Sequence, residues 1–189
     1  LLAIWEQHRD DPEPYELLQN ADSLGIFQME TDGYRRTLKD FQPNCFNHIV
    51  HLNALYRPGA LDYVRESDGM NMVEIFIERR HNREASLPPA KELQDLLEES
   101  HGVFLYQEQA MKAVQILAGF DGKQADRLRK GIGKKQADVI ESLKADYYAG
   151  CDENNIEIAV ATRVWENIEA AARYSWNKAH AVEYAIITW

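Results

Sequence analysis

The sequence is poor in cysteine and has no long hydrophobic run. Only two cysteines, Cys45 and Cys151, occur among 189 residues, and they form no Cys-x-x-Cys pair. This usage disfavours a disulfide scaffold or a cysteine zinc site and fits a reducing compartment, so we expect a cytoplasmic protein. No apolar run approaches the roughly 20 residues that cross a bilayer, and the N-terminus lacks the layout of a signal peptide. We therefore expect no membrane partner.

Sequence signatures of common catalytic and metal sites are also scarce. The chain has no Gly-x-Ser-x-Gly motif, and neither cysteine stands near a histidine in a recognisable nucleophile arrangement. His48 and His51 have the spacing of one helix face, but no carboxylate or cysteine at a matching spacing completes a set of metal ligands. We therefore predict no metal site in this chain, and nucleophilic catalysis has no support.

Helical periodicity is the strongest pattern that is present. Between Gln109 and Ala118 apolar residues recur every three or four positions and stop at Gly119, which predicts one buried face and a C-terminal stop. The same reasoning predicts helices at 13–20, 33–40, 45–56, 71–80, 90–98 and 156–172, the last behind the capping candidates Asn154 and Asn155. Strand-like alternation is confined to residues 24–29 and 103–106. The predicted fold is mainly α with at most short strands.

Positive charge is concentrated in one short stretch of an acidic chain. The net charge is −10, yet residues 121–135 hold six Lys or Arg against two Asp. Asp121, with a glutamine three residues later, resembles a capping box and predicts a helix that starts at the next residue. Such a cluster favours a local anion, either a phosphate or a triphosphate. The alternative is a solvated helix face on which Asp126 pairs with Lys130, and spacing alone does not decide between the two.

A second cluster of aromatic, amide and basic residues occupies positions 173–184. Asn177 is a good N-cap candidate for a final helix, which would place Lys178 and His180 in its first turn. Backbone N–H groups and the helix dipole favour an anion or a nucleic-acid phosphate at that position. Tyr184 would follow one turn later and could stack on a base, although aromatic residues at helical spacing more often belong to a core.

Five blocks of sequence, in order along the chain, resemble one known family. They are LGIFQME at 24–30, LYRPG at 55–59, GVFLYQEQ at 102–109, ADRLRKGIGKK at 125–135 and WNKAHAVEY at 176–184. Together they resemble the C-family bacterial replicative DNA polymerases, the α subunit of DNA polymerase III. The similarity covers roughly residues 13–189; the order of the blocks is that of the family, and their spacing is close to the family's.

The resemblance implies a multi-helix fingers domain that folds over the nascent base pair. It implies that residues 1–12 end a helix connecting the palm to the fingers, and that residues 13–189 are a fingers domain truncated at its C-terminus. We expect a piece of a longer polypeptide whose palm aspartates bind Mg²⁺. Because the chain contains no Asp-x-Asp pair, we expect no catalytic residue within it and no activity of the segment alone.

Individual residues inherit expected roles from the same blocks. The resemblance implies contacts to the incoming triphosphate by Arg127, Arg129, Lys130, Lys134 and Lys135. On the nucleotide and template side it implies contacts by Asn177, Lys178, His180 and Tyr184. The positions expected to support these contacts from behind are Gln28, Arg57, Tyr106 and Gln107. Expected partners are primer-template DNA, dNTP, the palm and thumb of the same polymerase and, through other regions, replisome subunits.

Two other functions remain open at this point. A fingers fold without its palm could serve as a replisome interaction module or a nucleotide sensor without enzymatic activity. A generic helical nucleic-acid binder would hold DNA by salt-sensitive charge contacts, but the net charge of −10 disfavours it.

Overall fold

The protein is described by a computed structural model that covers residues 2–8, 11–134 and 136–189. Within this described part the chain is helical, which confirms the mainly α prediction. Isolated bridges join Val64 to Asn71 and Tyr106 to Trp176, and no described residue belongs to a strand. Backbone hydrogen bonding is therefore satisfied mainly within helices.

The chain forms thirteen α-helices in the described ranges. They are α1 Leu2–His8, α2 Glu13–Gln19, α3 Asp32–Phe41, α4 Phe46–Leu55, α5 Pro58–Leu61, α6 Met72–Arg80, α7 Gln94–Leu97, α8 Gln107–Ala118, α9 Gly122–Gly133, α10 Ala137–Ser142, α11 Lys144–Glu153, α12 Ile158–Ala171 and α13 Lys178–Thr188. Two 3₁₀ turns, Lys91–Leu93 and Glu98–Ser100, flank α7.

The helices group into two compact units. The first unit comprises Leu1–Tyr56 with Lys178–Trp189, and the second comprises Arg57–Asn177. The predicted division between residues 1–12 and 13–189 is a different one, and it stays a prediction.

The first unit is built around α4. Residues 49–55 of this helix are all buried, and α13 packs against it. Helix α3 begins at Thr31, whose hydroxyl accepts the backbone N–H of Tyr34, and it ends where Gln42 adopts a left-handed backbone conformation. A helix that is buried all round needs neighbours on each face, and α4 therefore forms the centre of this unit.

The second unit is built around α8. The predicted buried face of this helix is confirmed, and Gly119 ends it with a φ of +66°. Helices α9 and α11 pack against α8, and Trp165 of α12 is fully buried with its indole N–H donating to Glu169 over 2.8 Å. The core of the unit is thus formed by α8 with the following helix α9 and with α11, which comes three helices later in the chain.

The two strand predictions were wrong. Residues 24–29 form consecutive turns, because Gly25 and Gln28 have φ values of +85° and +63° that a strand does not accommodate. Residues 103–106 form no strand either, and in this segment only Tyr106 takes part in a bridge. These short apolar runs next to glycine resemble strands in sequence, but they do not pair with a neighbouring strand in the structure.

The predicted helix caps at Asn154 and Asn155 were also wrong. Helix α12 starts after Glu157, without a side-chain cap. The Asn154 amide instead donates to the carbonyl of Leu117 over 3.0 Å, and Asn155 has a φ of +56°. Asn154 therefore satisfies a carbonyl in the last turn of α8, a partner that lies 37 residues away in sequence.

Other helix predictions differ in detail from the structure. The predicted helix at 90–98 is one short α-helix between two 3₁₀ turns, extending from Lys91 to Ser100. The remaining predicted helices are confirmed to within a few residues. Helices α5, α10 and α11 were not predicted, although the buried residues Ile140, Leu143, Tyr147 and Cys151 recur at helical spacings of three and four.

The capping box at the start of α9 is confirmed and provides a test of the local structure. Asp121 Oδ1 accepts the backbone N–H groups of Lys123 and Gln124, each over 2.8 Å. Asp121→Ala should lower the free energy of unfolding by about 1 kcal/mol, because two N–H groups lose their acceptor. Urea unfolding followed by circular dichroism measures the change. Asp121→Asn keeps an acceptor oxygen and should remain close to wild type, so equal losses in both variants would contradict this cap.

Candidate functional site

One face of α9 carries a row of cations exposed to solvent. Its opposite face is buried through Ala125, Leu128 and Ile132. The exposed positions, at spacings of four, three and four residues, are Lys123, Arg127, Lys130 and Lys134. Because this spacing repeats every helical turn, burial of the apolar face turns these four side chains toward water. The sequence pattern therefore produces a positive surface strip.

Two of the candidate triphosphate ligands already have a carboxylate partner. Arg129 Nη2 lies 2.8 Å from Asp126 Oδ1, and Lys130 Nζ lies 2.7 Å from Asp126 Oδ2. The pKa of the Asp126 carboxyl is lowered mainly by its hydrogen bond from Lys130 and next by its hydrogen bond from Arg129. The ion pair weighed as an alternative from the sequence is thus present. It does not remove the cations from the surface, because 59% of the Lys130 side chain remains exposed.

The other candidates on the strip differ in how they are held. Arg127 donates from Nη2 to the hydroxyl of Ser142 over 3.0 Å. Lys134 directly follows α9, is exposed, and has no ion pair within the described part of the chain. Lys135 lies outside the described residues. Among the described candidates, the Lys134 ammonium is therefore the one most available to an external anion.

The end of α9 lies beside the start of α8. A Cβ placed on Gly133 would lie 3.4 Å from Nε2 and 3.6 Å from Oε1 of Gln107. Gln107, one of the predicted supporting residues, is the first residue of α8. The structure therefore brings two of the recognised blocks, 102–109 and 125–135, into direct proximity.

The same helix start holds the segment that precedes α13. The backbone N–H of Gln107 donates to the carbonyl of Trp176 over 2.9 Å, and the N–H of Trp176 donates to the carbonyl of Leu105 over 3.1 Å. The Asn177 amide donates from Nδ2 to Glu108 Oε1 over 2.6 Å. Three hydrogen bonds thus attach residues 176 and 177 to the start of α8.

Arg57 adds a further block to this cluster. Its guanidinium carbon lies 4.0 Å from the ring centroid of Trp176, and its Nη2 donates to the carbonyl of Tyr174. Burial lowers the pKa of Arg57 to about 10. Tyr106, which precedes Gln107, is fully buried, and this burial raises the pKa of its phenol. Tyr106 is therefore part of the core, whereas Arg57 is half-buried and packs against Trp176.

In the first unit, aromatic side chains from blocks 24–30 and 176–184 form a row. The rings of Phe27 and Tyr184 lie 5.5 Å apart, and those of Tyr184 and His180 lie 4.1 Å apart. The Thr188 hydroxyl donates a hydrogen bond to the carbonyl oxygen of Phe27 over 3.4 Å. Gln28 follows Phe27 at an exposed position. Block 24–30 and the final helix α13 therefore meet through aromatic contacts.

One cavity of the second unit is lined by more acidic than basic side chains. It has a volume of about 660 Å³ and is lined by Asp138, Glu141, Glu169 and Arg173 together with Ala137, Ile140 and Ala172. Three carboxylates against one guanidinium oppose a polyphosphate ligand. The cavity is therefore unsuited to the anion that the exposed cations of α9 would bind.

Comparison with known proteins assigns the family. The model of the bacterial DNA polymerase III alpha subunit finger domain matches residues 2–155. This chain belongs to that family. Recognised blocks of the finger domain that are far apart in sequence are the ones that the structure brings together within each unit.

Curated relatives of this finger-domain chain carry the name DNA polymerase III subunit alpha. Identity is 42% over 180 residues with the protein of Aquifex aeolicus strain VF5, 36% over 185 residues with that of Haemophilus influenzae Rd, and 34% over 185 residues with that of Escherichia coli K12. Each alignment covers 95% of this chain and 15% of the relative. The chain thus spans about 15% of the length of these relatives.

The predicted site residues of the finger domain fall in both units. The second unit holds Arg57, Tyr106, Gln107, Arg127, Arg129, Lys130, Lys134 and Asn177. The first unit holds Gln28, Lys178, His180 and Tyr184. Their roles toward nucleotide and DNA stay predictions. The sequence analysis did not identify Glu108 as a partner of Asn177. The signal that could have indicated a role for Glu108 was its place beside Gln107 in the 102–109 block.

Across residues 2–8, 11–134 and 136–189, no three His, Cys, Asp or Glu side chains are grouped so that they could hold a metal ion. Among the described helices, none combines the length and apolarity that a membrane crossing requires.

Proposed function

We propose that this chain is the fingers segment of a DNA-directed DNA polymerase and that α9 binds the triphosphate of the incoming dNTP. The observation that carries the proposal is the strip of exposed cations on α9, which ends at Lys134 in a chain of net charge −10. A positive strip on an acidic protein favours a compact anion over a long nucleic-acid backbone. Membership of the finger-domain family supports the same ligand.

The cations would act on charge that develops during phosphoryl transfer. As pyrophosphate leaves, negative charge accumulates on its oxygens, and cations already in position stabilise that charge without reorganisation. Lys134 and Arg127 would contact phosphate oxygens directly. Arg129 and Lys130 would exchange part of their contact with Asp126 for the phosphate, because both side chains reach that carboxylate from the exposed surface.

The magnesium part of the reaction would lie outside this chain. In the parent enzyme Mg²⁺ would be held by palm aspartates, where it would activate the attacking hydroxyl and neutralise the leaving group. The described residues of this chain do not fit that ion, since they group no three candidate ligands. The segment alone would therefore bind and orient substrates without completing nucleotide addition.

The remaining predicted contacts would concern the nucleotide and the template. The residues that would make these contacts are Asn177, Lys178, His180 and Tyr184. Stacking of a base on an aromatic ring contributes about 1–3 kcal/mol and tolerates any base sequence. The row of Phe27, Tyr184 and His180 supports such a contact, because its rings are exposed or half-buried.

The proposal is tested by removing single cations in the full-length polymerase that contains this segment. Lys134→Ala and Arg129→Ala should each lower kcat/KM for dNTP incorporation about tenfold, while the Kd for primer-template changes by no more than a few fold. Single-nucleotide primer extension measures the first quantity, and fluorescence anisotropy with labelled DNA measures the second.

The matched control is Lys91→Ala. This lysine lies in a 3₁₀ turn of the same unit, is 93% exposed, and its loss changes the net charge equally. Its kcat/KM should stay at the wild-type value. The triphosphate assignment is wrong if Lys134→Ala and Arg129→Ala behave like this control.

A further inference from the structure

We infer that Glu108 is a positioning residue, which orients the side-chain amide of Asn177 for its contact on the nucleotide side. The inference rests on the proposed function, because it concerns how one of the proposed contact residues is held. Glu108 was not among the predicted site residues, and its partner lies 69 residues away in sequence.

The hydrogen bond defines which way the amide faces. Asn177 Nδ2 lies 2.6 Å from Glu108 Oε1, and both residues are half-buried. An ionised carboxylate only accepts hydrogen bonds, so the NH₂ end of the amide turns toward it. The planar amide then directs Oδ1 away from Glu108. A charge-assisted bond of this kind is about twice as strong as a neutral one.

The backbone around Asn177 is held by the same helix start. Trp176 exchanges two backbone hydrogen bonds with the residues before Glu108, accepting from Gln107 and donating to Leu105. The guanidinium carbon of Arg57 lies over the Trp176 ring, 4.0 Å from the ring centroid. Because the main chain is already fixed there, the contact with Glu108 acts on the rotation of the Asn177 side chain.

A second explanation for Glu108 has to be separated from this one. Glu108 is the second residue of α8, where a negative charge stabilises the helix dipole whatever Asn177 does. Two conservative substitutions distinguish positioning of Asn177 from stabilisation of the helix dipole. Glu108→Asp keeps the charge but shortens the side chain by one methylene, which breaks the contact. Glu108→Gln loses the charge but keeps an acceptor oxygen at the same reach.

The experiment uses the full-length polymerase and single-nucleotide primer extension. Glu108→Asp should lower kcat/KM for dNTP about tenfold, the loss that corresponds to one hydrogen bond to a charged group. Glu108→Gln keeps a weaker, neutral hydrogen bond, so its loss of kcat/KM should be clearly smaller than that of Glu108→Asp. In an Asn177→Ala background, Glu108→Asp should cause no further loss, because Glu108 acts through the amide that is then missing.

Each outcome bears on one of the two proposals. Wild-type incorporation by Asn177→Ala would overturn the contact role of Asn177, and with it the basis of this inference. A defective Asn177→Ala beside a normal Glu108→Asp would overturn the positioning role alone. The reverse pattern, a normal Glu108→Asp and a defective Glu108→Gln, would assign Glu108 to helix stabilisation. Primer-template affinity measured on every variant shows whether the polymerase remains folded.

Discussion

Replacing Gly150 with alanine is expected to destabilise the second unit by about 3 kcal/mol or more. A Cβ on Gly150 would lie 2.1 Å from the carbonyl oxygen of Ala118 and 2.8 Å from its carbonyl carbon. Both atoms belong to backbone at the end of α8, so no side-chain rotation relieves the overlap. The gain in helix propensity from glycine to alanine, about 1 kcal/mol, is smaller than this cost.

Urea unfolding followed by far-UV circular dichroism measures the loss. The matched control is Gly122→Ala, also a glycine within a helix of the same unit, where a Cβ would meet nothing within 4 Å. That variant should be as stable as wild type or slightly more stable. If Gly150→Ala were equally stable, the close packing of α11 on α8 would be incorrect.

Removing the Arg57 side chain is expected to cost about 2–3 kcal/mol of unfolding free energy. The loss combines its cation–π contact with Trp176 and its hydrogen bond to the carbonyl of Tyr174, both in a partly buried setting. Arg57→Lys keeps the positive charge but has no planar group to stack on the indole, so it should recover less than half of the loss.

The same unfolding titration tests this expectation, with Arg36→Ala as the control. Arg36 is an exposed arginine of α3, and its removal should change the free energy of unfolding by less than about 0.5 kcal/mol. Full recovery by Arg57→Lys would mean that charge alone matters at this position and that the stacked geometry contributes little. Loss of dNTP incorporation by Arg57→Ala should follow, because Trp176 and Asn177 are held by the same cluster.

Local patterns in the sequence were sufficient for the main helices. The apolar spacing before Gly119 and the capping box at Asp121 involve residues within one or two turns of each other, so their geometry follows from the helix itself. The exposure of the α9 cations follows in the same way, because the apolar residues between them determine which face is buried. Roles toward substrate came from family resemblance, and they stay predictions.

Contacts between distant segments could not be obtained from those patterns. Glu108 and Asn177 are 69 residues apart, so no local pattern connects them. Residues 24–29 form turns, although their apolar residues alternate as in a strand. The side chain of Asn154, predicted to begin one helix, completes the end of another.

The sequence by itself therefore determined the helical class, the family and the cation strip, since each depends on residue order or on neighbours along the chain. The tertiary structure decided which helices pack together and how Asn177 is oriented. The reason is physical: burial and hydrogen bonding join groups that are close in space, whatever their separation in sequence.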